Sequence, residues 1–589
     1  MKIYTTITLG IAGALFFIST SCTKDFLDRS PLDIISDNEV WSNPSSIEAN
    51  LVTLYDNMQT EDFNYTVNDE AGYLSQATDE ALRSYTWGSF STQAIIPTNT
   101  YGWWGYKAVR QVNLFIQKIS TSNLSVEQKT NYLTEARFLR AFYYFSIVKR
   151  YGGVPIIDKV QEYSGGDITP LQVSRNTEQE TYDFILKELN EIIPLLPVSQ
   201  NDNNRFRATR WAALALKSRA MLYAGSIAKY ASVQINGLIG IPGSEAQRYY
   251  TESLKASKEI IESGKFTLYN KTPDKAENFQ QLFLDKGMHS EAIFVKAFNS
   301  PDKTHSFDYY NAPQSFRVDY GNVTNPTIDM VEAFEYIDGS QGTLKIKDAN
   351  GNLIKYNSPT DLFTGKDPRF FATILYPMAP WQGNIVEIRR GIIDNGQKIE
   401  SGKLTDMYGT GTNAITIVGK DGPLTTWDPT KTGFYIKKFM NPSIRVPYGR
   451  SDTNWMVFRL GETYLNAAEA AFELGDSGPA LTYLNKIRSR AGIAEKVSVD
   501  IEVIRHERFV ELAFENHRFW DLRRWRIGTS VINNRQFKGL YPYLNWQDKT
   551  YVFEEVALSR PNKTYTEKLY WEAIPGISAN PNLIQNPLY

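Results

Sequence analysis

The sequence has very few of the residues on which many enzymes and metal sites depend. Its 589 residues include one cysteine and four histidines. A single cysteine excludes an intramolecular disulfide. One cysteine and four histidines are also too few for a dense zinc site. The formal net charge is only -2, so no excess of positive charge points to nucleic acid or to an anionic membrane surface. This composition favours binding over most hydrolytic chemistries, although a glycosidase, which needs only two carboxylates, stays open.

Long apolar runs are also scarce. The apolar stretch over residues 9–18 is shorter than the about 20 residues that span a bilayer as a helix, and no later segment comes close. Lys2 precedes this stretch, and small residues lead from it into Cys22, the only cysteine. The pattern predicts a signal peptide over residues 1–21. It resembles the lipobox of bacterial lipoproteins, so we expect cleavage before Cys22 and a lipid anchor on it.

Aromatic residues, in contrast, are plentiful: 35 tyrosines, 31 phenylalanines and 12 tryptophans. A chain of this length builds one to three lobes with a large core that takes up many of them. Sugar-binding surfaces draw on the same residue types.

Helical periodicity dominates both ends of the chain, and the middle is irregular. Apolar stripes predict helices over residues 126–150, 177–196, 208–230, 249–263, 459–474, 478–491 and 499–525. Helices that recur in pairs suggest tetratricopeptide-like hairpins, with a generic helical bundle as the alternative. Between residues 266 and 450 Gly, Pro and Asn are frequent. There Asn350 and Gly351, between residues 344–347 and 353–356, predict a β-hairpin turn rather than a calcium loop.

No catalytic motif is complete. The chain has no P-loop, and Ser477 lacks the spacing of a nucleophile elbow. His506 and Glu507 begin like a zinc-protease motif, but Val510 stands where the second histidine is needed. Carboxylates over residues 504–525 alternate with Arg and His at helical spacings, which predicts a salt-bridged structural face.

Several motifs together resemble the SusD/RagB family of outer-membrane lipoproteins. They lie, in the order typical of that family, at residues 135–145, 151–155, 208–220, 325–334, 367–374, 459–470, 507–525 and 580–587. The stretch ERFVELAFENHRFWDLRRW at 507–525 is especially distinctive.

The resemblance implies a mostly α SusD-like fold, with tetratricopeptide-type helix pairs as scaffold and a loop-rich lobe with short β-hairpins. We expect a helical scaffold over 22–265, an irregular ligand-binding lobe over 266–450 and a C-terminal helical region over 451–589, packed as one compact unit. It also implies an outer-membrane protein, facing the cell exterior, that captures an oligosaccharide for a TonB-dependent, SusC-like barrel. No catalytic residue, metal, cofactor or nucleic-acid partner is implied, and a structural divalent cation is not indicated. The alternatives are a surface glycoside hydrolase and a peptide-capturing member of the same family.

Ligand residues are chosen by chemistry, because the family motifs mark the scaffold. Sugar sites combine exposed aromatic platforms with a few hydrogen-bonding side chains. Loop-like segments offer three groups: Asp69, Arg83, Tyr85 and Trp87; Tyr309, Tyr310, Asn311 and Tyr320; and Trp381, Arg389 and Arg390. For the aromatic residues, packing into the core is the alternative.

Overall fold

The structure, a computed structural model, describes residues 37–64, 73–85, 101–426, 428–558 and 562–589. Helices dominate it, as predicted. They are α1 (Asp37–Ser42), α2 (Pro44–Asp56), α3 (Tyr106–Thr121), α4 (Val126–Tyr151), α5 (Glu178–Ile192), α6 (Arg210–Tyr230), α7 (Ala246–Glu262), α8 (Lys275–Leu284), α9 (Phe307–Asn311), α10 (Ile328–Ala333), α11 (Pro368–Thr373), α12 (Leu460–Glu473), α13 (Ser477–Ala491), α14 (Ile501–Glu511), α15 (His517–Arg524) and α16 (Gly528–Val531).

The strands are short and scattered. They are β1 (Ala81–Arg83), β2 (Ala292–Lys296), β3 (Thr324–Pro326), β4 (Ile374–Leu375), β5 (Pro380–Trp381), β6 (Asn384–Ile385), β7 (Gly391–Asp394), β8 (Gln397–Glu400), β9 (Met407–Tyr408), β10 (Ile415–Thr416), β11 (Tyr435–Ile436), β12 (Trp455–Arg459), β13 (Lys538–Asn545) and β14 (Tyr551–Ala557). A four-stranded sheet has the order β14-β13-β7-β8, and the other sheets of the described residues have two strands each.

Helices that follow one another in sequence pack together, as the pairing predicts. α3 packs on α4, α4 on α5, α5 on α6 and α6 on α7. α12 continues this array by packing on both α7 and α13. One hydrophobic core cluster runs from Ile47 to Leu583 through all three predicted regions.

Local sequence sets the ends of the longest helix, α4. The Ser125 hydroxyl accepts from the Gln128 amide N–H, and the Gln128 side chain accepts from the Ser125 amide N–H in return, which satisfies two N–H groups at the helix start. The helix ends at Gly152, whose φ of 72° suits glycine and whose N–H donates to the Val148 carbonyl at 2.9 Å.

One predicted helix is two helices. The sequence predicts a single helix over 499–525, but α14 ends at Glu511 and α15 begins at His517. Phe514 and Asn516 between them have φ of 60° and 66°, which an α-helix cannot contain. At the break, the Glu515 carboxylate lies 2.7 Å from both Arg459 and Lys438. The Phe514 N–H donates to the Glu80 carboxylate.

The hairpin predicted around Asn350 is a turn without regular strands. Asp348 accepts from the amide N–H groups of Asn350 and Asn352, each at 2.9 Å, so the turn is confirmed. The arms are joined by a bridge between Lys347 and Leu353 and by the Ile354 N–H, which donates to the Ile346 carbonyl at 3.0 Å, but regular strands are absent there. The backbone of Tyr356, at the end of the second arm, pairs with Tyr551 at the start of β14, and the Tyr356 hydroxyl donates to the Lys345 carbonyl.

The salt-bridged face predicted over 504–525 is confirmed and lies in the core. We call the following residues the buried ion network: Arg369, Lys438, Arg459, Arg488 and Arg490 with Glu291, Asp367, Glu507, Glu511 and Glu515. It joins β12, α11, α13 and α14 through charge-assisted hydrogen bonds. Within the described ranges, no helix is long and apolar enough to cross a membrane.

Candidate functional site

Five tyrosine side chains come together where the N-terminal and middle regions meet. We call Tyr85, Tyr309, Tyr310, Tyr320 and Tyr448 the tyrosine cluster. The ring centroids of Tyr85 and Tyr320 are 5.2 Å apart, those of Tyr309 and Tyr310 are 5.3 Å apart, and those of Tyr309 and Tyr448 are 5.5 Å apart. The sequence predicts Tyr85 in a different group from Tyr309, Tyr310 and Tyr320, and the fold joins the two groups.

The short helix α9 carries Tyr309 and Tyr310. The Asp308 N–H donates to the Ser451 hydroxyl at 3.1 Å, and the Asp308 carboxylate accepts from the Asn441 N–H at 2.5 Å. Burial raises the pKa of Asp308 to about 6. These bonds tie α9 to the loop over residues 441–451, which supplies Tyr448.

The loop between α9 and β3 supplies Tyr320 and is tightly packed. A Cβ atom on Gly321 would lie 2.4 Å from the Ala312 carbonyl oxygen, so only glycine fits there. Asn322 has a φ of 53°, a conformation that asparagine tolerates better than most residues. Its side-chain amide donates to the Asp428 carbonyl at 2.6 Å.

The Tyr85 hydroxyl is held in place by Asp428 and by the Gly321 carbonyl. Its hydroxyl lies 2.6 Å from the Asp428 carboxylate and 2.8 Å from the Gly321 carbonyl oxygen. Arg317 forms an ion pair with the same carboxylate. Because a carboxylate in an ion pair is held in place, it positions the tyrosine ring.

The cluster has a buried floor and an accessible upper side. Tyr85 and Tyr310 are buried, Tyr309 and Tyr320 are half-buried, and Tyr448 is 59% exposed. Burial, the nearby Asp319 and the neighbouring tyrosines raise the pKa of Tyr309 above its ordinary value. The surface therefore offers apolar ring faces and hydroxyl edges, the combination that binds sugar rings.

The third predicted group does not join the cluster. Trp381 is only 3% exposed and packs in the core. Arg389 is buried beside Glu387, with Nη1 2.9 Å from the carboxylate, and donates to the Thr416 carbonyl. Arg390 pairs with Glu400 near the four-stranded sheet. A buried side chain offers no face to a ligand unless its surroundings move, so we leave Trp381 and Arg389 out of the site.

Other predicted residues are either buried or outside the described part of the chain. Asn311 is fully buried and donates to the Phe307 carbonyl, which closes α9, and Arg83 is buried in β1. Asp69, Trp87 and Cys22 lie outside the described residues. Ligand roles for all of these residues stay predictions.

Sequence reasoning missed Tyr448, the most exposed ring of the cluster. It stands between Pro447 and Gly449 in a loop, a setting similar to that of the aromatic residues selected from the sequence. Asp428 and Arg317 were missed because their role depends on a contact across more than 100 residues, with no local pattern. Among the described residues no group of three or more His, Cys, Asp or Glu side chains is arranged to hold a metal ion.

Comparisons with known proteins agree with this fold. The family model described as "SusD family" matches residues 290–589, which is half of the chain. A second model, described as "Starch-binding associating with outer membrane", matches residues 25–222. The chain belongs to the SusD family. The description of the second model, which matches the N-terminal third of the chain, names starch binding and association with the outer membrane.

Individual relatives match over nearly their full length. A SusD-like protein of Bacteroides ovatus is 22% identical over 563 residues, which cover 92% of this chain and 87% of the relative. A SusD-like protein of Formosa agariphila is 23% identical over 546 residues, which cover 87% and 90%. The crystal structure of a SusD-like protein from Bacteroides fragilis superposes with a TM-score of 0.71 at 26% identity and covers 95% of this chain and all of that one. A laminarin-binding SusD-like protein shares the fold, with a TM-score of 0.60 at 20% identity over 93% of this chain and all of that one.

Proposed function

We propose that this SusD-family protein captures an oligosaccharide on the outer face of the cell through the tyrosine cluster. It is held to the outer membrane by lipid on Cys22 and delivers the ligand to a TonB-dependent, SusC-like barrel. The observation that supports this most directly is the exposed side of the cluster, where Tyr309, Tyr320 and Tyr448 present ring faces beside hydroxyl groups. Rigid aromatic rings lose little conformational entropy when a ligand stacks on them.

Calorimetry tests the capture step. The protein, produced without residues 1–21 and with Cys22→Ser, is titrated with starch, laminarin, xylan, mannan, pectin and chondroitin sulfate, and each mixture is analysed for shortened products. We expect saturable binding to one polymer and no product. Shortened sugars from a pure sample would contradict the proposal in favour of a hydrolase, and binding of peptides but of no glycan would favour peptide capture.

Matched variants locate the site. Tyr448→Ala removes the most exposed ring, and Tyr163→Ala removes a ring that is equally exposed, at 59%, in another part of the chain. We expect Tyr448→Ala to weaken glycan binding by about tenfold, which corresponds to roughly 1.4 kcal/mol. Tyr163→Ala should leave the affinity unchanged, and equal losses in both variants would refute this location.

Uptake by living cells tests anchoring and delivery. Cells that produce a Cys22→Ala protein lose the proposed anchor, whereas the binding surface is untouched. We expect uptake of a labelled oligosaccharide to fall while the affinity of the purified protein stays the same. Unchanged uptake would exclude a need for the lipid.

A further inference from the structure

A cleft separate from the upper side of the tyrosine cluster opens on one face of the four-stranded sheet. Its volume is about 430 Å³, within the range of small-molecule sites. Tyr541 and Tyr543 of β13 contribute to its floor together with Val556 of β14. Pro423 and Leu424 contribute to one wall. The cleft is therefore mainly apolar inside.

A fixed set of polar groups stands at the rim. The Tyr543 hydroxyl donates to one oxygen of Glu400 at 2.6 Å, and Arg390 donates to the other oxygen at 2.8 Å. A second guanidinium nitrogen of Arg390 donates to the Ser401 carbonyl at 2.8 Å. These bonds orient the carboxylate and the guanidinium side by side, and the Glu400 side chain is still 38% exposed. An ionised carboxylate has about four lone-pair positions, so it can accept further donors from a ligand.

The combination fits a sugar ring. Each sugar hydroxyl both donates and accepts, so two neighbouring hydroxyls can donate to Glu400 and accept from Arg390. The apolar C–H face of the ring can then lie against the half-buried side chains of Tyr541 and Val556. A metal ion fits poorly, because a single carboxylate paired with a guanidinium is not a metal-binding set.

The cleft is close to the tyrosine cluster along the chain. Thr425 and Lys431 line the cleft, and Asp428 between them holds Tyr85. Three residues span at most about 10 Å, so Thr425 in the cleft wall lies close to Asp428, which holds the Tyr85 hydroxyl. A polymer of several sugar units extends well beyond this distance.

We infer that this cleft is a second saccharide-binding site, which takes one or two further units of the polymer that binds at the tyrosine cluster. The inference rests on the proposed function. Two linked contacts make the second binding event intramolecular, so affinity rises with ligand length without any change at the cluster. The protein thereby selects chains over short sugars.

The experiment uses the polymer of the panel that the wild-type protein binds most tightly, and the disaccharide made from it. Glu400→Gln keeps the shape of the rim but removes its charge, and Thr425→Met fills the mouth of the cleft from an exposed position. The control is Glu554→Gln on β14, whose carboxylate pairs with Lys398 and does not line the cleft. Thermal unfolding of each variant checks its folding.

We expect both cleft variants to weaken polymer binding by about tenfold, to leave disaccharide binding at the tyrosine cluster within twofold, and to remove most of the length dependence. Glu554→Gln should match the wild type. Polymer binding that is unchanged in both cleft variants would overturn the second site and leave the proposed function standing. A wild-type protein that binds no glycan of the panel would overturn the proposed function itself and this inference with it.

Discussion

Replacement of Glu511 by glutamine should be among the most destabilising single changes in this protein. Glu511 is completely buried in the buried ion network. Its carboxylate contacts Arg459 at 2.7 Å, Arg369 at 2.9 Å, and Arg490. The three guanidinium groups hold the pKa of Glu511 far below its usual range, in spite of the opposing effect of burial. The wild-type carboxylate is therefore ionised at neutral pH.

The expected magnitude follows from what the substitution leaves behind. A glutamine in place of Glu511 would keep the volume of the side chain but carry no charge, and its amide N–H₂ would face guanidinium groups that only donate. Breaking a buried ion pair by removal of one partner costs about 3–5 kcal/mol, because the remaining charge is buried without compensation. We expect a loss within this range, since three arginines lose this partner but each of them keeps another carboxylate of the network.

Urea denaturation, followed by tryptophan fluorescence, measures the effect. The control is Glu502→Gln on the same helix, where the side chain is 72% exposed and pairs only with Arg505 among the described residues. An exposed pair of this kind is worth about 1 kcal/mol or less. If Glu511→Gln lowers the free energy of unfolding by no more than the control does, the pairs of Glu511 with its three arginines do not stabilise the fold.

Three further predictions concern stability and the predicted site. Burial raises the pKa of Glu80 from 4.5 to about 7, so the folded protein binds this proton more tightly than the unfolded chain does and loses stability as the pH rises from 4.5 to 7. Glu80→Gln should therefore gain stability relative to the wild type between pH 5 and pH 8, by up to roughly 3 kcal/mol in thermal unfolding, and a pH-independent difference would contradict this. Gly321→Ala should lower both the melting temperature and the glycan affinity, because its Cβ would meet the Ala312 carbonyl oxygen at 2.4 Å; a variant with wild-type affinity would show that this loop does not position Tyr320. Trp381→Ala should lower the free energy of unfolding by about 3–5 kcal/mol, because it removes a large buried side chain. Trp381→Phe should keep the glycan affinity within twofold of the wild type. A selective loss of binding in Trp381→Phe would show that Trp381 belongs to the site.

The sequence predicts the helical scaffold well because its signals are local. Apolar stripes, caps such as Ser125 and stops such as Gly152 lie within a few residues of the helix that they define. The break between α14 and α15 escaped prediction because the apolar periodicity continues through it. The helix is interrupted where Glu515 pairs with Arg459 and Lys438. These two residues lie in distant parts of the chain.

The candidate site was predicted in part. Residue chemistry and loop context point to Tyr85, Tyr309 and Tyr320, and the structure places these rings in one cluster. The same reasoning selected Trp381, whose proline-pinned loop folds inward instead of outward. Residue type and loop context do not distinguish these outcomes, since the direction of a loop side chain depends on tertiary packing. Only the fold shows that Arg390 stands at the rim of a different cleft.

The buried ion network also bears on the proposed location of the protein at the outer face of the cell. Dissolved salt screens exposed charges over about 8 Å at physiological ionic strength, but it hardly reaches pairs from which solvent is excluded. The ion pairs around Glu507, Glu511 and Glu515 are of the second kind. We therefore expect the melting temperature to change little between dilute and concentrated salt, so that a protein at the cell exterior keeps its shape while the medium around it varies.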